Sequence, residues 1–338
     1  MGNKKIGKQT IKLSNPPSII STYSIVGTKE GAGPLKDYFD KILKDDAFGE
    51  KTFEKAESEM MYTAITEAIN KGNLKEGDVD YLFAGDLLNQ IISSSFVARE
   101  IEVPFFGLYG ACSTMCESLS LGSIVMDGGY ANHVVAATSS HFSSAERQYR
   151  FPLDYGAQRS VTAQWTVTGS GAMVLGYEKG NYPKVTYITT GIVKDYGTTD
   201  PNNMGEAMAP AAVDTIYKHF KETNRDASYY DVIATGDLGY VGKNITKELL
   251  LQYGYDISNN YIDCGDEIFF NKEQKTDAGG SGCGCSAVVA CGYLYKKLIN
   301  HEINKVLLVS TGALMSPTSQ LQGQSIPGIA HAVAIEMI

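Results

Sequence analysis

Apolar residues recur three and four positions apart between Thr52 and Ile69, at Met60, Met61, Ala64, Ile65 and Ile69. That spacing predicts an amphipathic helix. Short apolar runs predict buried strands at Tyr81-Leu82-Phe83-Ala84 and at His133-Val134-Val135-Ala136-Ala137-Thr138. Gln9 to Leu13 alternates and stops at Asn15-Pro16-Pro17, as an edge strand closed by a turn does. Ile19 to Val26 reads as strand or loop, Lys36 to Leu43 as helix and Ser93 to Arg99 as helix. A Gly-rich turn, Gly107-Leu108-Tyr109-Gly110-Ala111, leads into Cys112, and the small-residue stretch after it predicts a helix through Met126. Gly169-Ser170-Gly171 feeds the strand pattern that runs on to Glu178.

The pattern then repeats. Tyr230-Asp231-Val232-Ile233-Ala234-Thr235-Gly236-Asp237-Leu238 echoes Val79-Asp80-Tyr81-Leu82-Phe83-Ala84-Gly85-Asp86-Leu87. Gly280 to Ser286 echoes the turn around Cys112, with a helix predicted over Ala287 to Leu298. Lys305 to Gly312 then matches the 133–138 strand, and Gly328 to Met337 matches 172–178. A period near half the chain is too long for a solenoid and predicts a duplicated α/β unit. The expected halves are residues 1–180, carrying Cys112, and 181–338. In this alignment Cys112 falls opposite Gly284, and His141 opposite Ala313.

A chain of 338 residues with 43% hydrophobic and 20% charged residues is ordinary for a globular protein, and two packed units suit that length. The net charge of -9, with no Lys/Arg cluster, argues against a nucleic-acid surface. It also means that an anionic ligand needs a local positive site. Six cysteines are too sparse for a disulfide framework and point to a reducing compartment. No run approaches the length of a membrane helix, and no apolar signal region follows Met1-Gly2-Asn3-Lys4-Lys5, so any membrane role is expected to be peripheral.

Cys112 supports two readings. At a helix start, unpaired N–H groups and the positive dipole end would lower a thiol's pKa and make it a nucleophile. A small buried residue in a tight turn explains it as well. Asp86 and His141 both follow predicted strands, where ligands bind in open α/β sheets; a loop histidine bonded to backbone is the plain alternative for His141. Arg147, Arg150 and Arg159 are interleaved with Glu146 and Asp154, which predicts a solvated face. Cys283 and Cys285, with Cys264 and Cys291, lack the pair spacing of a zinc site, so no metal is assigned. No cofactor is implied.

The duplicated unit, the Gly-Ala-Cys-Ser turn at 110–113 and the closing Gly-Ser-Gly-Ala-Met-Val-Leu strand at 169–175 resemble the thiolase superfamily. The resemblance covers nearly the whole chain. It implies a five-layered αβαβα thiolase-like fold, often a homodimer, with a reactive Cys where Cys112 sits. Those enzymes draw polar partners from the second half: a His and Asn, two His, or a His and a second Cys. This chain departs from them. It has no histidine between His219 and His301, its 279–286 turn holds only Gly, Ser and Cys, and Ser325 falls where thiolases carry a second Cys. His331 lies inside a strand pattern and reads as structural. Condensation chemistry needs a base and an oxyanion stabiliser, so the departures imply a pocket kept for binding.

Longer stretches narrow the resemblance: Ala84 to Gln90, Gly110 to Met115, Ser140-His141, Glu146 to Pro152 and Thr162 to Gly169. Together they resemble the stage V sporulation protein AD family of endospore-forming bacteria. That resemblance implies a non-catalytic protein that binds dipicolinic acid, free or as its calcium chelate, for uptake into the developing spore. It implies a protein held at the inner spore membrane by other SpoVA membrane proteins. Cys112, Asp86 and His141 are then the expected ligand-binding residues. Asp86 would serve by orienting His141, by staying protonated or by meeting the calcium. The competing reading is a Cys112-dependent acyltransferase or condensing enzyme of the ketoacyl-synthase type.

Overall fold

The computed structural model describes residues 4–149 and 159–338. Ten strands carry the architecture: β1 (Ser18–Val26), β2 (Tyr81–Gly85), β3 (Phe105–Gly107), β4 (Val134–Ser140), β5 (Gly169–Gly176), β6 (Pro183–Thr189), β7 (Val232–Thr235), β8 (Tyr261–Asp263), β9 (Lys305–Ala313) and β10 (Gly328–Met337). The principal helices are α1 (Phe53–Lys71), α2 (Ile92–Ile101), α3 (Thr114–Asp127), α4 (Phe142–Tyr149), α5 (Met204–Thr223), α6 (Gly239–Gln252), α7 (Cys283–Val288) and α8 (Tyr295–Ile299). A π-helical turn, Val289–Leu294, joins the last two.

The strand order is β8-β7-β9-β10-β6-β1-β5-β4-β2-β3. Each set of five has the same internal plan. β2 runs parallel to β3 and β4, while β5 is antiparallel to β4 and β1. Likewise β7 runs parallel to β8 and β9, while β10 is antiparallel to β9 and β6. β1 and β6 meet at a single pair, Ser18 with Lys184. The echoed sequence runs therefore occupy corresponding strands, and Asp86 and Asp237 follow corresponding strand ends.

Alternation along the strands explains the layers. In β9, Val306 and Leu308 join a central core with Met115, Cys116 and Leu119 of α3 and with Cys285 and Val288 of α7. Leu307 and Val309 face the other way, into a core with Met208, Ala212 and Ile216 of α5. On the first sheet, Val135, Ala137, Ala172 and Val174 pack against Met61, Ala64 and Ile65 of α1. Burial on both faces is why these strands read as continuous apolar runs. The result is the expected α/β, five-layered αβαβα thiolase-like architecture, with α3 and α7 in the middle layer.

Three local expectations are corrected. Lys36 to Leu43 is not a helix: a 3-10 turn at Lys36–Tyr38 gives way to a short strand, Lys41–Ile42, beside Ile25 and Val26. Asp40 draws the chain there, because its Oδ2 accepts from the backbone N and the hydroxyl of Ser24. The 133–138 strand runs two residues further, through Ser139 and Ser140. Their hydroxyls donate inside the core, to Glu57 Oε1 and to the Val167 carbonyl. The helix predicted from Ala287 starts earlier, at Cys283.

Candidate functional site

The starts of α3 and α7 meet near the ends of β2 and β7. A 3-10 turn, Ala111–Ser113, with Ala111 at a φ of 50°, delivers Cys112 to the start of α3. Ser113 and Thr114 tighten it by donating their hydroxyls to the Gly110 and Ala111 carbonyls at 2.7 and 2.6 Å. The turn rests on β9 of the second half. A Cβ at Gly312 would lie 2.5 Å from the Gly110 carbonyl oxygen and 3.4 Å from the Cys112 nitrogen.

Cys112 is 7% exposed. Asp237 lies beside it, and its carboxylate accepts from Thr311 Oγ1 at 2.7 Å, Gly282 N at 2.9 Å and Ser281 Oγ at 3.2 Å. Burial, then the charges of Asp237 and Cys283, push the Cys112 thiol well above its ordinary pKa. This corrects the expectation of a lowered value: desolvation and a carboxylate outweigh the helix start. Cys283 Sγ donates to the Ala111 carbonyl at 3.0 Å. Its thiol too is pushed up, first by burial and then by the charges of Asp86 and Glu57. The Tyr149 hydroxyl donates to the Leu87 carbonyl at 2.6 Å, and its pKa is raised by burial and by Cys112, Cys283 and Asp86.

Asp86 is buried. Its Oδ1 accepts from Leu88 N at 2.8 Å, and its Oδ2 from Ser94 N and Oγ at 2.8 and 2.7 Å. Burial outweighs these donors and raises its pKa. Glu57, also buried and raised, accepts from Ser139 Oγ at 3.0 Å and Ser144 Oγ at 2.7 Å and repels Asp86.

His141 is 1% exposed and has other partners. Its Nε2–H donates to the Asp46 carbonyl at 2.8 Å, its Nδ1 accepts from Ser143 N at 3.1 Å, and its ring tilts against Phe53. Burial lowers its pKa, so it is a neutral ring with both nitrogens engaged. The expected bond from Asp86 to His141 is absent, since the Asp86 oxygens face Leu88 and Ser94. The electrostatic neighbourhood thus joins Cys112 and Asp86 through Cys283 and Tyr149, with His141 bonded to neither.

Asp237, Cys283 and Tyr149 are additions to the site. The repeat held the signal for Asp237, which is the counterpart of Asp86. His331 accepts from Gly191 N and is pushed down to about 4 by burial, as a structural residue. Ser325 donates to Asp195. No three metal-capable side chains converge among the described residues. Arg147 pairs with Glu54, but Arg159 corrects the solvated-face expectation: it is half-buried against Asp277 and Trp165. Arg150, Phe151, Pro152 and Asp154 lie outside the described residues.

Two matching half-sheets around a buried, cysteine-bearing helix start define a protein of the thiolase-like fold. Solved structures agree at the level of fold. The 3-oxoacyl-[acyl-carrier-protein] synthase III of Aquifex aeolicus matches with a TM-score of 0.60 and 12% identity, over 95% of this chain and 99% of that one. Human mitochondrial 3-ketoacyl-CoA thiolase matches with a TM-score of 0.58 and 13% identity, over 97% and 99%. Within that class, the chain belongs to the Stage V sporulation protein AD family, whose model matches residues 7–336. It is 46% identical over 333 residues to Stage V sporulation protein AD of Bacillus subtilis (strain 168), covering 98% of each chain. No helix among the described residues is long and apolar enough to cross a membrane.

Proposed function

We propose that this sporulation-family protein binds dipicolinic acid without turnover, for uptake into the developing spore. In this reading it works at the inner spore membrane, beside other SpoVA membrane proteins. The observation that carries the reading is what faces Cys112: a buried carboxylate, Asp237, and a second raised thiol, Cys283, with no imidazole bonded to either. A nucleophile needs its thiolate, and this surrounding favours the thiol. The start of α3 offers N–H donors to one carboxylate of a small planar dianion. Burial raises the Asp86 pKa and so disfavours its charged form, which lessens its repulsion of such a ligand. A calcium chelate would instead meet its oxygens.

Calorimetric titration with dipicolinate, with and without calcium, and with an acyl-CoA in parallel, tests this reading. Saturable dipicolinate binding with no acyl-CoA signal is the expected result. Acyl-CoA binding without dipicolinate binding, or an acyl adduct on Cys112 by intact mass, overturns it in favour of an acyltransferase.

A further inference from the structure

A cleft of about 270 Å³ lies where β1, the end of α1 and the start of α8 come together. Ile20, Ser21 and Thr22 of β1 line it, with Asp40, Lys71, Tyr295 and Lys296. It is remote from the Cys112 cluster. Cys283 opens α7 at that cluster, and Lys296 follows thirteen residues later along the same helical run, roughly 20 Å away at 1.5 Å per residue.

The π-helical turn Val289–Leu294 sets one wall of the cleft. An extra residue in a helix turns everything after it by about 100°, and such turns are frequent at functional sites. Here it decides which way Tyr295 and Lys296 point. The turn is held firmly. Thr22 Oγ1 donates to the Cys291 carbonyl at 2.8 Å, and Tyr293 meets Tyr38 edge to face with centroids 4.8 Å apart. A Cβ at Gly292 would lie 2.8 Å from the Tyr38 carbonyl oxygen. The Tyr295 hydroxyl donates to the Ile20 carbonyl at 3.3 Å.

Charge in the cleft is unbalanced. Lys71 and Lys296 both reach one oxygen, Asp40 Oδ1, at 2.8 and 3.4 Å. Burial would raise the Asp40 carboxyl, but Lys71, Ser24 and Lys296 outweigh it and hold its pKa below the ordinary value, so it is a carboxylate. Two ammoniums therefore share one negative charge. Besides Asp40, Lys71 donates to the Thr22 carbonyl at 3.4 Å and Lys296 to the Tyr38 carbonyl at 2.6 Å. An ammonium has three N–H donors, which leaves at least one on each lysine for a further acceptor. Lys71 also lies over the Tyr23 ring, 4.8 Å from the centroid, which orients it without cancelling its charge. Glu67, exposed on α1, acts on Tyr23 and does not line the cleft, and Lys297 is matched by Glu302. The carbonyl end of α1 is an opposing field. Ser21 Oγ and Gly72 N already donate to its Ala68 carbonyl, at 2.6 and 3.1 Å.

We propose that this cleft is a phosphate site, in which Lys71 and Lys296 together take the phosphate group of a small molecule and Ile20 and Tyr295 meet the rest of it. Lysine ammoniums bind phosphate as point charges, whereas planar carboxylates favour the fork of an arginine. A volume just under the usual range for drug-sized ligands suits inorganic phosphate or a compact phosphomonoester. The site is separate from the dipicolinate reading above and does not depend on it.

Calorimetric titration of the full chain with inorganic phosphate and with phenyl phosphate tests the proposal, with benzoate as the carboxylate comparison. Both phosphates should bind saturably at millimolar concentration or below, phenyl phosphate more tightly through its ring and benzoate more weakly. Lys71→Gln and Lys296→Gln should each lose about tenfold in phosphate affinity, the scale of one charge-assisted contact. Lys297→Gln, beside the cleft, should keep the wild-type affinity. Asp40→Asn retains an oxygen for Ser24 and removes the competing charge, so it should bind phosphate several-fold more tightly, provided circular dichroism shows it folded. A triad that only ties β1, α1 and α8 together would give no such gain. No saturable binding, or equal affinity in wild type and both lysine variants, overturns the site. Benzoate binding as tightly as phenyl phosphate overturns the assignment to phosphate. Dipicolinate affinity should be unaltered in both lysine variants; a parallel loss would place dipicolinate in this cleft and overturn the separation of the two sites.

Discussion

Two side chains at the centre of the molecule make claims that chemistry checks directly. The Cys112 thiol is pushed up by burial and by Asp237, so it should be a slow nucleophile despite its place at a helix start. Alkylation by iodoacetamide at pH 8, followed residue by residue in mass spectra, should lag well behind that of a free thiol. Asp237→Asn removes the charge and should speed Cys112 several-fold; equal rates would remove Asp237 from the account. Glu30 makes a second claim, on stability. Its Oε1 accepts from Thr168 N at 2.9 Å, while its Oε2 is buried with no partner among the described residues. Burial raises its carboxyl from 4.5 to about 8. A raised folded-state value means that the unfolded chain releases this proton first. The contribution is fully present below about 4.5 and is lost as pH rises through about 8. Buried Asp263, raised to about 7, acts with the same sign. Urea midpoints should therefore fall between pH 5 and pH 8.5, and Glu30→Gln should flatten that fall. A variant with the slope of wild type would mean that Glu30 is ionised throughout.

The elements most legible in the sequence are those whose burial is two-sided or strictly periodic. β2, β4, β9 and α1 announce themselves because nearly every side chain, or every third and fourth one, enters a core. The short strand at Lys41–Ile42 was not legible, because what extends it is the long-range bond from Asp40 to Ser24 and the ion pair of Asp40 with Lys71. The same holds for His141, whose partner is a backbone carbonyl 95 residues away. Asp86 and Cys112 could be chosen from strand-end and helix-start logic, but Asp237 needed the repeat to be read as a symmetry of the site. The clearest long-range dependence is that of the Cys112 turn on β9. A methyl at Gly312 would meet a backbone carbonyl, which has no rotamer by which to retreat. Gly312→Ala should cost about 1–3 kcal/mol of stability in urea unfolding, the usual scale of overpacking. It should also weaken whatever Cys112 binds, by moving the turn. An unaltered midpoint would show that the turn and β9 can separate freely.

At the scale of the whole molecule, the two ends of the strand order differ. β8 ends one side with Tyr261 and Asp263 buried. β3 ends the other with Phe106 exposed, although its ring stacks on Phe83 at 5.2 Å. Tyr109 just beyond it and Leu121 and Ile124 on α3 are exposed as well. A bare strand edge beside an apolar surface is a ready template for another strand. A second copy of this chain fits as the cover, because its own bare edge and apolar patch can meet their images. A twofold axis beside β3 would set two such strands antiparallel, each patch meeting its own image. Each chain carries a net charge of -9, so two copies repel, and the association has to be apolar and should strengthen as salt screens that repulsion. Sedimentation velocity at tens of micromolar should give a dimer that tightens from low to moderate salt. Phe106→Asp should sediment as a monomer with unchanged circular dichroism, because its side chain lies outside the cores. A wild-type monomer at every salt concentration would leave the β3 edge to some other partner, and a dimer that loosens with salt would place the contact on ion pairs elsewhere.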